Sequence, residues 1–324
     1  MASLLDTFRV LSQFEPAGAS LSDAPWDAYV DWAVSQGLGP LAAYNLEYRL
    51  GGGGAPEWAR DRLLSIYQGS LNDNVMKLVN FKRAIDELEG CRLVLLGSAS
   101  FAEALYPHVA FRPVLELEAL ARAEDLDALA ACLLKSEFKT VPAEPGEGAD
   151  RVLFDGRTRV LVNTGILGPA RKAEETRMLS LATPMKVYGP SVFRLDLEDA
   201  VLVEALGHAR SDYVLPAICW VDFRELLRGA PSMGGAYSRP LDTELLRQRA
   251  HAWKLERALW ASLSIAESLF PETRDIVSRA KPPLRLPTRE LLERTVVRPA
   301  AALDIAAAPV SGRVDRLRRL LVGT

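Results

Sequence analysis

The sequence predicts an α+β protein in which helical regions flank a small sheet core, and three observations carry that expectation. Apolar residues recur at helical spacing through residues 1–90. Short β-rich runs separated by glycine, proline and Asp-Gly punctuation follow over residues 91–195. Helical spacing then returns over residues 196–324, which end in a stretch rich in proline and arginine. The three regions are therefore an N-terminal helical region, an α/β core and a C-terminal helical region with its tail.

In the first region, Leu4, Leu5, Phe8, Leu11 and Phe14 fall on one helix face. Ser22-Asp23 is placed to cap a helix carrying Trp26, Tyr29, Trp32 and Ala33, which Gly37-Leu38-Gly39-Pro40 ends. Gly51 to Gly54 form a turn, and Pro56 suits the first turn of a long helix with Leu63, Tyr67, Leu71, Val75, Leu78, Phe81 and Ile85 along one side. The tryptophans and tyrosines here are expected in the core rather than against a ligand.

The period changes at Cys91. RLVLL reads as a buried strand, SASFAEALY as a helix and PVLELEAL as a second strand. Ala123 to Ser136 reads as an amphipathic helix with Leu126, Leu129, Ala130, Leu133 and Leu134 inward. RVLFDGRTRVLVN is a hairpin around the turn dipeptide Asp155-Gly156, and it is expected to extend the same sheet. LEDAVLVEALGHAR, WVDFRELLRG and the long run from Leu241 to Phe270 are helices. The tail arginines Arg313, Arg316, Arg318 and Arg319 read as a solvated helix face, with an acidic partner as the other reading.

A net charge of −3 leaves no global basic field to favour nucleic acid. Three scattered cysteines, Cys91, Cys132 and Cys219, show no metal-ligand spacing and suit a reducing compartment. The start MASLLDTFRVLSQFEP lacks the apolar run of a signal peptide, and no segment reaches the length of a membrane span. A soluble, cytoplasmic protein is expected.

The chemistry-bearing stretch is VLLGSASFAEALYPHVAFRPVLELEALA, residues 94–121. Glu116 and Glu118 stand two apart on an otherwise apolar strand, which sets both carboxylates on one side. Like charges so placed repel unless a cation or water separates them. A divalent metal site and a solvated strand face both fit that pattern. Gly97-Ser98 between strand and helix can cradle phosphate with backbone N–H groups and a hydroxyl, or serve as a capped turn.

These residues resemble the uncharacterised bacterial nucleotidyltransferases of the polymerase-β-like superfamily, whose members carry Lys-Gly, Tyr-Pro, Arg-Pro and then Asp-x-Asp. The matching positions are Leu96-Gly97, Tyr106-Pro107, Arg112-Pro113 and Glu116-x-Glu118. WDAYVDWAVSQGLGPLAAYNL is similar to the family's N-terminal helical region, and LEDAVLVEALGHAR with WVDFRELL to its C-terminal one, including His208 and Asp222. The resemblance implies a polymerase-β-like sheet core and transfer of a nucleoside monophosphate from an NTP to an acceptor, a small molecule or a peptide or protein. It gives Glu116 and Glu118 as catalytic residues holding Mg²⁺ that arrives with the NTP. Gly97, Ser98 and Arg112 become the nucleotide contacts, although Arg112 could instead pair with Glu116 or Glu118.

The departures are specific. Leu96 stands where the family has lysine, both aspartates are glutamates, and the family's later acid-Leu-His is met by Leu161 and Asn163. An octahedral Mg²⁺ tolerates little displacement of its ligands. A second function is therefore expected beside the first: a catalytically degenerate binding or scaffold module on the same fold.

Overall fold

The computed structural model describes residues 3–16, 21–86, 88, 90–144, 148–229 and 237–301. The tail arginines named above lie outside the described residues. The chain divides into two compact units, Met1–Asp196 and Leu197–Thr324. The α+β expectation holds: helices flank a mixed seven-stranded sheet.

The first unit begins with helices α1 (Leu4–Leu11), α2 (Trp26–Ser35), α3 (Gly39–Tyr44) and α4 (Glu57–Ile85). Ser3 caps α1 through a reciprocal pair of bonds with Asp6. The expected Ser22-Asp23 cap of α2 is not formed; Pro25 precedes the helix with no side-chain cap. Pro56 occupies the position before α4, as its fixed φ allows, and Leu63, Leu78, Phe81 and Ile85 of that helix are buried. Tyr29 has no exposed surface and Trp26 little, so these two are core as expected, whereas Tyr48 and Trp58 of the same region are exposed.

The sheet follows as β1 (Leu93–Leu95), α5 (Gly97–Ala104), β2 (Leu117–Ala121), α6 (Leu126–Leu134), β3 (Lys139–Val141), β4 (Arg151–Phe154), β5 (Arg159–Asn163), α7 (Lys172–Leu181), β6 (Thr183–Pro184) and β7 (Val192–Arg194). Strand order is β3-β4-β5-β2-β1-β7-β6. β2 lies antiparallel to β1 and parallel to β5, so the hairpin does extend the sheet that holds Glu118. Asp155 closes that hairpin, its Oδ1 accepting from the N–H groups of Arg157 at 2.8 Å and Thr158 at 2.6 Å. α6 buries Leu129, Ala130 and Leu133, while Leu134 points outward.

The second unit contains α8 (Leu197–Arg210), α9 (Ala217–Arg228), α10 (Thr243–Ala252), α11 (Glu256–Leu269), α12 (Arg274–Ala280), α13 (Leu286–Leu292) and α14 (Arg298–Ala301). α8 and α11 pack together around His208, whose Nδ1 lies 3.1 Å from the Ser262 hydroxyl. Its ring packs tilted against Trp220 at 4.4 Å and edge-on against Phe223 at 5.0 Å between centroids. Burial pushes this imidazole down to about 3, so it is a neutral core residue. Asp222 is buried in the same unit. No helix among the described residues is long and apolar enough to cross a membrane.

Candidate functional site

The site forms where β1 gives way to α5 and β2 begins. Leu96 is extended, and its N–H donates to the Glu118 carbonyl at 2.9 Å. The chain then turns at Gly97, whose φ of +50° is a left-handed value that favours glycine. A Cβ placed on Gly97 would find one heavy atom within 4 Å outside its own chain neighbourhood, Glu118 Oε2 at 3.9 Å. The space over the turn is therefore open except for that carboxylate. It stands beside the first turn of α5, where the helix dipole favours negative charge. Ser98 Oγ donates to the Glu116 carbonyl at 3.5 Å, the outer edge of hydrogen-bond reach.

The structure brings Gly97, Ser98 and Glu118 together. Glu116 is close by but differently placed: β2 starts at Leu117, so Glu116 occupies the bend before the strand. Both carboxylate residues are half-buried. Arg112 is buried, and its Nη1 donates to the Pro113 carbonyl at 2.9 Å.

Register decides what surrounds Glu118. Leu95 pairs with Ala119 on the antiparallel side, so Leu96 stands opposite Glu118. On the parallel side Glu118 pairs with Leu161. Residues paired across a sheet share a face, which makes Leu96, Glu118 and Leu161 one continuous row. Both leucines are buried. Two residues further along the same face, Leu120 pairs with Asn163.

The loop leading into this row is held by α4, a role the sequence reading missed. Asn74 Nδ2 donates to the carbonyls of Val109 at 2.6 Å and Arg112 at 2.8 Å, and its Oδ1 accepts from the Val114 N–H at 2.9 Å. Lys77 Nζ donates to the Val114 carbonyl at 2.7 Å and pairs with Asp73 at 2.6 Å. Ser70 Oγ adds a bond to the Ala110 carbonyl at 2.9 Å. An irregular segment buried against a helix must satisfy its backbone groups through side chains, and these do so. The signal was present in the sequence: Asn74 and Lys77 interrupt the apolar side of an amphipathic helix.

A family model described as uncharacterised nucleotidyltransferase matches residues 22–271. The chain belongs to that family. No curated protein and no solved structure matches it. The match supports nucleotidyl transfer from an NTP as the family's general function, and it spans the glycine turn, the Glu-x-Glu strand and the helices of α8 and α9. Measured against the pattern expected of nucleotidyltransferases, three departures converge in space. Leu96 and Leu161 flank Glu118 on its two neighbouring strands, where a lysine and a third acid were expected.

A divalent metal held by this family member's own side chains alone does not fit that row. Mg²⁺ requires near-octahedral oxygen ligands. Glu118 has a buried leucine on either side, and among the described residues no group of three or more histidine, cysteine, aspartate or glutamate side chains could hold an ion. At the other end of α5, burial pushes the Glu103 carboxyl up.

Proposed function

We propose that this chain takes up an NTP over the Gly97–Ser98 turn and acts as a binding or scaffold module of the nucleotidyltransferase fold, with the metal-dependent transfer lost. The observation that supports it is the row Leu96–Glu118–Leu161, which replaces polar neighbours of the central acid by two apolar side chains. Phosphoryl and nucleotidyl transfer depend on positioning and on neutralising charge in the transition state. Leucines supply neither. The open space over Gly97 at the start of α5 supports retention of phosphate binding.

Calorimetry of an NTP with and without Mg²⁺, on wild type, Gly97→Val and Glu116→Gln/Glu118→Gln, tests the reading. Expected are binding that Mg²⁺ does not strengthen, loss of that binding in Gly97→Val with the fold intact, and no pyrophosphate release. Unchanged affinity in Gly97→Val would remove the phosphate role of the turn.

A second reading, transfer of a nucleoside monophosphate to an acceptor hydroxyl with Glu116 and Glu118 as catalytic residues, draws on one observation. Glu118 Oε2 stands 3.9 Å from the Cβ position of Gly97, beside the turn where a triphosphate would lie. Rapid pyrophosphate release that disappears in Glu116→Gln/Glu118→Gln would establish that reading and defeat the scaffold.

A further inference from the structure

The other end of β2 carries a cavity of about 510 Å³ that the nucleotide site does not use. Its position follows from topology. β2 and β5 run parallel, and after their last residues the chain continues into Arg122 and into Thr164-Gly165, which line the cavity together with the start of α7. In α/β sheets the carboxyl ends of adjacent parallel strands are where connecting loops leave room for ligands. Glu118 and Arg122 are four residues apart on one extended segment, so the cavity lies roughly 13 Å from the Gly97 turn at the usual strand rise. It is a separate place.

The charges that line it are unequal in their engagement. The side chains of Arg122 and Lys172 are exposed and enter no hydrogen bond or ion pair among the described residues. Three other cations of the unit are committed: Arg151 to Asp127 at 3.1 Å, Arg159 to Glu144 at 3.3 Å, and Arg171 to the Leu167 carbonyl at 3.3 Å. Of the two acids in the lining, Glu175 is buried and structural. Its Oε2 accepts from the N–H groups of Ile166 at 2.9 Å and Leu167 at 3.0 Å. Glu124 remains as a single exposed opposing charge. Leu179, Pro169 and Ala123 supply apolar wall.

We infer that this cavity binds a small organic anion, a phosphate ester or a carboxylate with an apolar body, through Arg122 and Lys172. Its volume falls in the range of small-molecule sites, about 300–1,000 Å³, and its mixture of apolar wall with two cations in the lining suits such a ligand. An arginine and a lysine at one mouth differ in what they add. The guanidinium supplies a planar fork for two oxygens, and the ammonium a mobile point charge. Glu124 weakens the site for a dianion, and this gives the inference a signed test.

Titrating the full chain with phenyl phosphate, benzoate and inorganic phosphate, followed by backbone amide shifts in NMR, reads the site directly. Saturable shifts centred on Thr164 to Thr176 are expected with phenyl phosphate or benzoate, and which of the two binds more tightly separates phosphate from carboxylate. Arg122→Ala/Lys172→Ala should weaken binding at least tenfold, while Arg122→Lys/Lys172→Arg retains it. Glu124→Gln should strengthen it two- to fivefold. All three positions are exposed, so these variants leave the core untouched. The inference is overturned by an absence of saturable shifts, by shifts centred on Gly97–Ser98 instead, by binding that survives the alanine pair, or by Glu124→Gln weakening the complex. That last result would mean a cationic or zwitterionic ligand.

Discussion

The two compact units set their acids among different neighbours. In the second unit Arg224 has no exposed surface, yet its Nε donates to Glu225 Oε1 at 2.6 Å and its guanidinium lies 4.6 Å from the centre of the Phe270 ring. Arg249 meets Asp199 at 2.8 Å, and Glu198, also without exposed surface, is held by Arg239 and by the Asp242 N–H at 2.9 Å. Glu198, Asp199 and Glu225 there each have a cation beside them. Around Glu118 in the first unit, the neighbours in register are leucines. The proposed scaffold role rests on that difference in register neighbours.

Removing a structural partner sharpens the contrast most. Arg224→Met should destabilise the second unit by about 3 kcal/mol, because Glu225 is left buried with Arg228 at 3.2 Å as its remaining cation. Denaturant unfolding of the variant measures it, and a loss under about 1 kcal/mol would show that the buried pair contributes little.

Asn74→Ala comes next. It orphans the Val109 and Arg112 carbonyls and the Val114 N–H, a cost of about 1–3 kcal/mol at a buried site. Because the loop it releases enters β2, NTP affinity should fall together with stability, whereas a purely structural Asn74 would leave the affinity of the folded fraction unchanged.

His208 sets a pH signature on the second unit. Its folded value near 3 lies below the ordinary histidine value of 6.5. Below about pH 6.5 the unfolded chain therefore binds a proton that the folded unit refuses. Stability from this group is complete above that pH and is lost as pH falls towards 3, by about 1.4 kcal/mol per unit. Comparing unfolding of wild type and His208→Phe between pH 7 and pH 4 isolates it from the carboxylates. Equal slopes would mean that the imidazole charges in place.

Leu161→Asp carries the smallest expected effect and tests the comparison from the other side. It sets a second carboxylate in the row beside Glu118, and Mn²⁺ affinity, followed by electron paramagnetic resonance, should rise about tenfold over wild type. Unchanged affinity in a folded variant would show that the leucine is not what excludes a cation.

Much of this was written in the sequence where local chemistry decides. Asp155-Gly156 gave the hairpin, the Gly97 turn gave the start of α5, and the helix-spaced runs gave α4 and α8, while the run from Leu241 to Phe270 breaks at Trp253–Leu255 into α10 and α11. Other parts depend on distant pairing. β6 and β7 are two- and three-residue strands drawn from TPMKVYGPSVFR, too short and too rich in proline and glycine to show a period, and β7 exists because it pairs with β1. Glu116 was read as a strand residue, yet the ladder starts one residue later. Of the candidate site, the residue types were legible and their departures visible. The convergence of Leu96 and Leu161 on one acid was not, since it is set by register across three strands.

The grip of α4 on the segment from Val109 to Val114 also bears on time. Exposed loops exchange their amide hydrogens within the fast local openings of the chain, but the Val114 N–H is tied to Asn74 in the middle of a 29-residue helix. Its exchange is coupled to undocking of that segment from the helix. The approach to the Glu-x-Glu strand thus has the slow clock of a core element while lacking regular structure, and the site it feeds is preset before any ligand arrives.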